Sequence, residues 1–220
     1  REAGIAFAAV ELDTLGDRQA VQDLASLTHA LLQPGDRLAC LAVLRAPWCG
    51  LTLADLTAIA EAKSPSVPIA TVLVDPATLA ALSDDGQARL ARVRPILATA
   101  LGSHGRAGVV ARVRGAWLAL GGPACFADAL DLESVERYFE ALATHERAGD
   151  LPDWDVFRTA LDDLRASSLP AAGSPVQLMT MHKAQGLQFD TVILPGLGRK
   201  GRGASHELLR WRSRDRGLLI

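Results

Sequence analysis

The residues of this chain that could do chemistry gather in one short stretch, Val176-Gln177-Leu178-Met179-Thr180-Met181-His182-Lys183-Ala184-Gln185-Gly186-Leu187-Gln188-Phe189. A threonine hydroxyl can donate to a phosphate oxygen, a histidine offers a neutral or cationic donor, and a glycine admits a close backbone approach or a turn of positive φ. Thr180, His182 and Gly186 stand at such positions, with Lys183, Gln185 and Gln188 between and beside them. Apolar runs flank the stretch, Val176 to Thr180 before it and Thr191 to Leu194 after it, so it reads as strand, polar loop with a short helical turn, strand. In open α/β sheets ligands sit outside the carboxyl ends of the strands, and that is where Thr180 and His182 would project. Such a loop suits a phosphate-bearing partner.

Residue for residue, the same stretch resembles motif V of the UvrD/Rep/RecB/AddA helicases of superfamily 1, roughly T-x-H-x-[AS]-K-G-L-E-[FW] between two hydrophobic strands. Thr180, His182, Ala184, Gly186, Leu187 and Phe189 fit it, whereas Gln185 stands where lysine is usual and Gln188 where the family has a glutamate toward the nucleotide. An amide still hydrogen-bonds a hydroxyl but brings no charge. The resemblance implies that Thr180, His182 and Lys183 face DNA and that Gln185, Gly186 and Gln188 face the nucleotide. More weakly, Gly16 to Val21 with Leu44-Arg45-Ala46-Pro47 is similar to the family's exit from its second motor domain. The Arg45 to Leu51 and Leu120 to Ala124 stretches look closer to the RecB/AddA exonuclease-associated branch.

The elements that must hold this loop follow from periodicity. Val21, Leu24, Leu27 and Leu31 share a helical face that Pro34-Gly35 ends, and a second helix is expected from Asp36 to Leu44. Ile5 to Leu12 reads as a strand needing partners elsewhere. Four further helical faces follow: Leu90, Val93, Leu97, Leu101; Val110, Val113, Trp117, Leu120; Val135, Tyr138, Phe139, Leu142; and Trp154, Phe157, Leu161, Leu164. Val67 to Val74 suits a buried strand or a short helix and is read as helix from its neighbours. Gly121-Gly122-Pro123 is a turn, and a small-residue linker runs from Ser167 to Pro175. The expected fold is therefore α/β, an incomplete RecA-like sheet domain of the P-loop NTPase type interrupted by a mainly helical insertion. Residues 1–48 and 174–220 are assigned to the second motor domain and 49–173 to an accessory insertion of the kind called 2B in this family.

Composition sets outer limits. With 49% hydrophobic and 22% charged residues the chain is ordinary globular material, and a formal charge of -2 excludes a generally basic nucleic-acid-coating protein while leaving local DNA contacts open. No apolar run nears the roughly 18 residues of a membrane span, and no secretory signal is readable at the start, so a cytoplasmic setting with no membrane partner is expected. Cys40, Cys49 and Cys125 form no CxxC pair and are read as reduced, mostly buried thiols. His29, His104, His145 and His206 show no ligand spacing, so no metal site is expected. Trp117 and Trp154 belong to apolar faces, whereas Trp48 and Trp211 could stack on bases or pack at a seam. Arg199 to Gly203 is a solvated loop or a phosphate grip.

No GxxxxGK[ST] occurs among the 220 residues, and Asp84-Asp85 and Asp162-Asp163 do not follow strands as a magnesium-holding pair would. The resemblance thus implies a DNA helicase or translocase using ATP and Mg2+, working on single-stranded or duplex DNA. Its P-loop would lie in a first motor domain outside these residues, and the resemblance also implies a nuclease domain or subunit as a partner. The chain alone is expected to carry no catalytic residue. Its alternative is a helicase-like scaffold subunit that binds DNA or protein without hydrolysis, which the two glutamines motivate.

Overall fold

A polar residue opens most of the helices by accepting a backbone N–H that the helix itself leaves unpaired. The Asp36 carboxylate accepts from the Ala39 N–H at 3.0 Å, Thr52 from Asp55 at 3.2 Å, Asp75 from Thr78 at 3.2 Å, Ser83 from Gly86 at 3.0 Å and Asp153 from Val156 at 2.9 Å. These caps set the starts of α2 (Arg37–Arg45), α3 (Leu53–Glu61), α5 (Pro76–Ala80), α6 (Asp84–Gly102) and α9 (Trp154–Asp163). With α1 (Gln19–Leu32), α4 (Ile69–Val72), α7 (Val109–Ala119) and α8 (Ala129–His145) they make up most of residues 14–164. The structure is a computed structural model that describes residues 8–9, 14–64, 66–164, 176–179, 181–195, 212–214 and 217–219.

The apolar faces read from the sequence converge. Leu24 and Leu27 of α1, Leu90 and Val93 of α6, Val113 and Trp117 of α7, Val135, Tyr138, Phe139 and Leu142 of α8, and Phe157 and Leu161 of α9 are all buried in one core. Helix α1 lies against α2, α7 and α8, α6 against α7, and α8 against α9. Each aliphatic side chain fully buried in this way contributes about 1.5 to 3 kcal/mol of transfer free energy. Polar ties fix the register: the Thr28 and Tyr138 hydroxyls meet at 2.5 Å inside the core, and Thr28 also donates to the Leu24 carbonyl.

The core runs without a break across residues 48 and 49. Trp48 is buried with its indole N–H on the Val43 carbonyl at 3.1 Å. Two arginines of α6 hold the segment that carries it, Arg89 donating to the Cys49 carbonyl at 3.1 Å and Arg92 to the carbonyls of Trp48 and Leu120. Helices α1 and α2 therefore share their hydrophobic interior with α3 to α9.

Strand structure is slight. β1 (Ala8–Ala9) pairs in parallel with β2 (Gln177–Leu178), Ala8 opposite Gln177, and β3 (Arg212–Arg214) pairs antiparallel with β4 (Gly217–Leu219). Compact units divide at Thr180, the first spanning Arg1–Thr180 and the second Met181–Ile220. The expected α/β architecture around a RecA-like sheet is overturned: the described residues are mostly helical, and no sheet among them exceeds two short strands. The physical reason lies in the run Thr191 to Leu194. Its β-branched residues suit a strand, but a strand needs ladder partners for its N–H and C=O groups. Among the described residues none pairs with it, and Ile193 is left 82% exposed. Between Ile5 and Leu12, Ala8–Ala9 is the strand described. Val67 to Val74 is helical at Ile69–Val72, as its neighbours suggested.

Candidate functional site

The second unit opens with α10 (Met181–Ala184), a single helical turn. Its end is set by Gly186, which adopts φ +86°, while the Leu187 N–H donates back to the Ala184 carbonyl at 3.0 Å. That is the usual way a glycine stops a helix, because a side chain at positive φ meets the following carbonyl. A Cβ at Gly186 would meet nothing within 4 Å, so the backbone conformation, not crowding, is what asks for glycine there.

Of the residues expected to face DNA, Thr180 lies outside the described residues, and His182 and Lys183 are the second and third residues of α10. Those expected to face nucleotide, Gln185, Gly186 and Gln188, follow directly and are exposed, as are Leu187 and Phe189. The turn thus gathers His182 to Phe189 within one helical turn and a reversal. Chemically it offers amide donors and acceptors and a backbone kept clear of side chains at Gly186, which suits hydrogen bonds to a hydroxyl or an oxyanion. Arg199 to Gly203, His206 and Trp211 lie outside the described residues.

Elsewhere several titratable and aromatic residues have structural roles. Burial pushes the thiols of Cys40 and Cys49 up to about 11, so both stay protonated near neutral pH and neither is a nucleophile there. Burial likewise pushes the Tyr138 hydroxyl up, against the lowering effect of Thr28. His29 stacks on Trp154 with ring centroids 4.5 Å apart and its Nδ1 3.5 Å from the Asp36 carboxylate. His145 edges onto Phe157. Among the described residues no cluster of His, Cys, Asp and Glu could hold a metal ion. Trp48, left open by its irregular segment, is a core residue and unavailable for base stacking.

Sequence reasoning missed three buried charged residues on the helices. Asp55 of α3 accepts from the Ser83 N–H and hydroxyl at 2.8 and 3.0 Å and from the Thr52 hydroxyl at 2.7 Å, and it lies so close to Gly86 that a Cβ there would strike it. Asp23 of α1 and Arg112 of α7 are also buried. A charged residue beside an apolar stripe is the sequence signal that could have found them, since it can be turned inward when its element is covered on both sides. No helix among the described residues is long and apolar enough to cross a membrane.

Compared with known proteins, the chain matches no family model, and no curated protein matches it either. The likeness to helicases therefore rests on the residues of the Thr180 to Phe189 stretch.

Proposed function

We propose that this chain is a working part of an ATP-dependent translocase on single-stranded DNA, a helicase of the UvrD/RecB kind acting in DNA repair or recombination. The observation that carries the reading is the fit of Thr180, His182, Ala184, Gly186, Leu187 and Phe189 to one spaced pattern. Support comes from the turn itself, where Gly186 at φ +86° closes the short helix that carries His182 and is followed by an exposed Gln188. In this reading Thr180, His182 and Lys183 grip the DNA backbone, and Gln185, Gly186 and Gln188 lie toward ATP and its Mg2+, held chiefly by an ATP-hydrolysing half outside these residues. A nuclease domain or subunit is a further partner of the same proposal. Residues 49–173 serve as the accessory domain of this proposal.

The scaffold reading keeps a specific observation in its favour: Gln185 and Gln188 replace the charged residues of the pattern, so a motor that no longer hydrolyses ATP would lose nothing by them. Two measurements separate the readings. The chain alone should bind a fluorescent oligo(dT) weakly, with an affinity that falls as salt rises, and should not turn over ATP. In the longer protein, His182→Ala and Thr180→Ala should lower DNA-stimulated ATP hydrolysis by about tenfold and leave basal hydrolysis nearly intact, as expected for loss of one charge-assisted or hydroxyl contact. Absence of any DNA-stimulated hydrolysis in the unaltered protein would favour the scaffold, and absence of DNA binding would end the motor and leave only a scaffold that binds protein.

A further inference from the structure

Arg112 of α7 is 4% exposed, yet among the described residues its charge forms no ion pair with a carboxylate. One terminal nitrogen, Nη1, donates to His104 Nδ1 at 2.6 Å, and since a guanidinium only donates, that imidazole nitrogen is the acceptor. The other edge, Nε and Nη2, is buried and has no hydrogen-bond partner among the described residues. Those two N–H groups point in parallel and form the fork that receives both oxygens of a carboxylate. A guanidinium cannot escape by losing its proton, so a buried fork without an anion is costly and calls for a counter-charge.

Arg112 lines a groove of about 400 Å³ between α6 and α7. Its walls are otherwise small or weakly polar, with Thr99 of α6, Ser103 directly after that helix, and Ala111, Gly115 and Ala119 on α7. A concavity of this size, mainly apolar and with one convergent charged group, has the make-up of a small-molecule site. We propose that the groove between α6 and α7 binds a small amphipathic carboxylate, its apolar body lying along Thr99, Ala111, Gly115 and Ala119 and its head pairing with the Nε and Nη2 edge of Arg112. A monoanion matches the single unpaired cation, whereas a phosphate dianion would leave a charge uncompensated. The head reaches the covered fork by a rotation of Arg112, whose side chain has the softest torsions in the lining. The site is independent of the DNA reading and lies in the other unit from α10.

Octanoate is the probe, titrated into the full chain by calorimetry and by NMR of the Arg112 Nε–H resonance, which is assigned by its loss in Arg112→Gln. Saturable binding is expected, with a shift of that resonance and at least about tenfold weaker binding of octanol, which lacks the head. Arg112→Gln should bind octanoate and octanol alike. Because that change also alters a buried position, Gly115→Leu provides the second test: a Cβ there meets nothing within 4 Å, so the fold is kept while the groove is filled. It should lose octanoate binding and keep the thermal transition. Equal binding of octanoate and octanol by the unaltered chain, tighter binding of octyl phosphate, undiminished binding by Gly115→Leu, or no saturable binding at all would each overturn the proposal. In the last case the fork is satisfied by water.

Discussion

Two buried aspartates show how the same side chain is pushed in opposite directions by its surroundings. At Asp55, 3% exposed, burial alone would raise the carboxyl, but donors from Ser83 and Thr52 converge on the charged form and together hold it below the ordinary value. At Asp23 burial dominates and raises the carboxyl, with only the Gln19 amide and the charge of Arg45 opposing it, and one oxygen has no partner among the described residues. The consequences for stability differ in sign. Asp55 ionises more readily folded than unfolded, so its contribution is complete above the ordinary carboxylate value of about 4 and is lost as pH falls through its lower folded value. Asp55→Ala should therefore cost about 2 to 3 kcal/mol in urea unfolding at pH 7 and progressively less in acid. Asp23 binds its proton more tightly folded, so stability is greatest while it is protonated and declines as pH rises from about 4 through its raised folded value. Asp23→Asn keeps an acceptor for Gln19 and removes the charge. Unfolding at pH 7 should show it more stable by about 1 kcal/mol, with the gain vanishing below pH 4; a loss at pH 7 would mean that Arg45 compensates the charge after all.

At the scale of elements, what was legible in the sequence is what is local. The faces of α1, α6, α7, α8 and α9 are written at intervals of three and four residues, so periodicity found them, and Asp36 and Ser83 announce helix starts by their type. Strand identity is settled by partners far along the chain. Ala8–Ala9 finds one at Gln177–Leu178, while Thr191 to Leu194, equally strand-like in composition, has none among the described residues. The sheet expected from those runs failed for that reason. Arg89 and Arg92 donate to the Cys49 and Trp48 carbonyls some forty residues back, contacts that no local signal reports. Of the candidate site, the helical turn and its glycine were legible because a four-residue helix closed by positive φ is also a local device; the Arg112 groove was not, since it exists only once α6 meets α7. The glycine can be tested by itself. Gly186→Ala should disfavour the reversal by about 1 kcal/mol, and Gly186→Asn by less, since asparagine tolerates the left-handed region better. Chemical shifts of residues 184 to 188 should report this, with the transition of the helical body unchanged; an unperturbed Gly186→Ala spectrum would show that the turn does not depend on positive φ.

For the whole molecule, the division at Thr180 gives the two proposed activities separate addresses. Every buried residue of the core from Leu15 to Leu161, among the described residues, belongs to the first unit. A chain ending at Thr180 should therefore fold by itself, with a cooperative urea transition whose midpoint matches that of the full chain, because the apolar area buried on folding, which sets both midpoint and slope, stays the same. Removing Met181–Ile220 takes away α10 and the turn at Gly186, so affinity for oligo(dT) should fall to background, whereas binding of octanoate at α6 and α7 should persist. The combination is decisive because each proposal can fail without the other. If the shortened chain keeps its DNA affinity, the contacts belong to the helical body, and the likeness of Thr180 to Phe189 to a helicase motif is not what binds DNA. If it fails to fold, the second unit supplies stability that the core does not reveal, and the DNA comparison must be made with His182→Ala in the full chain.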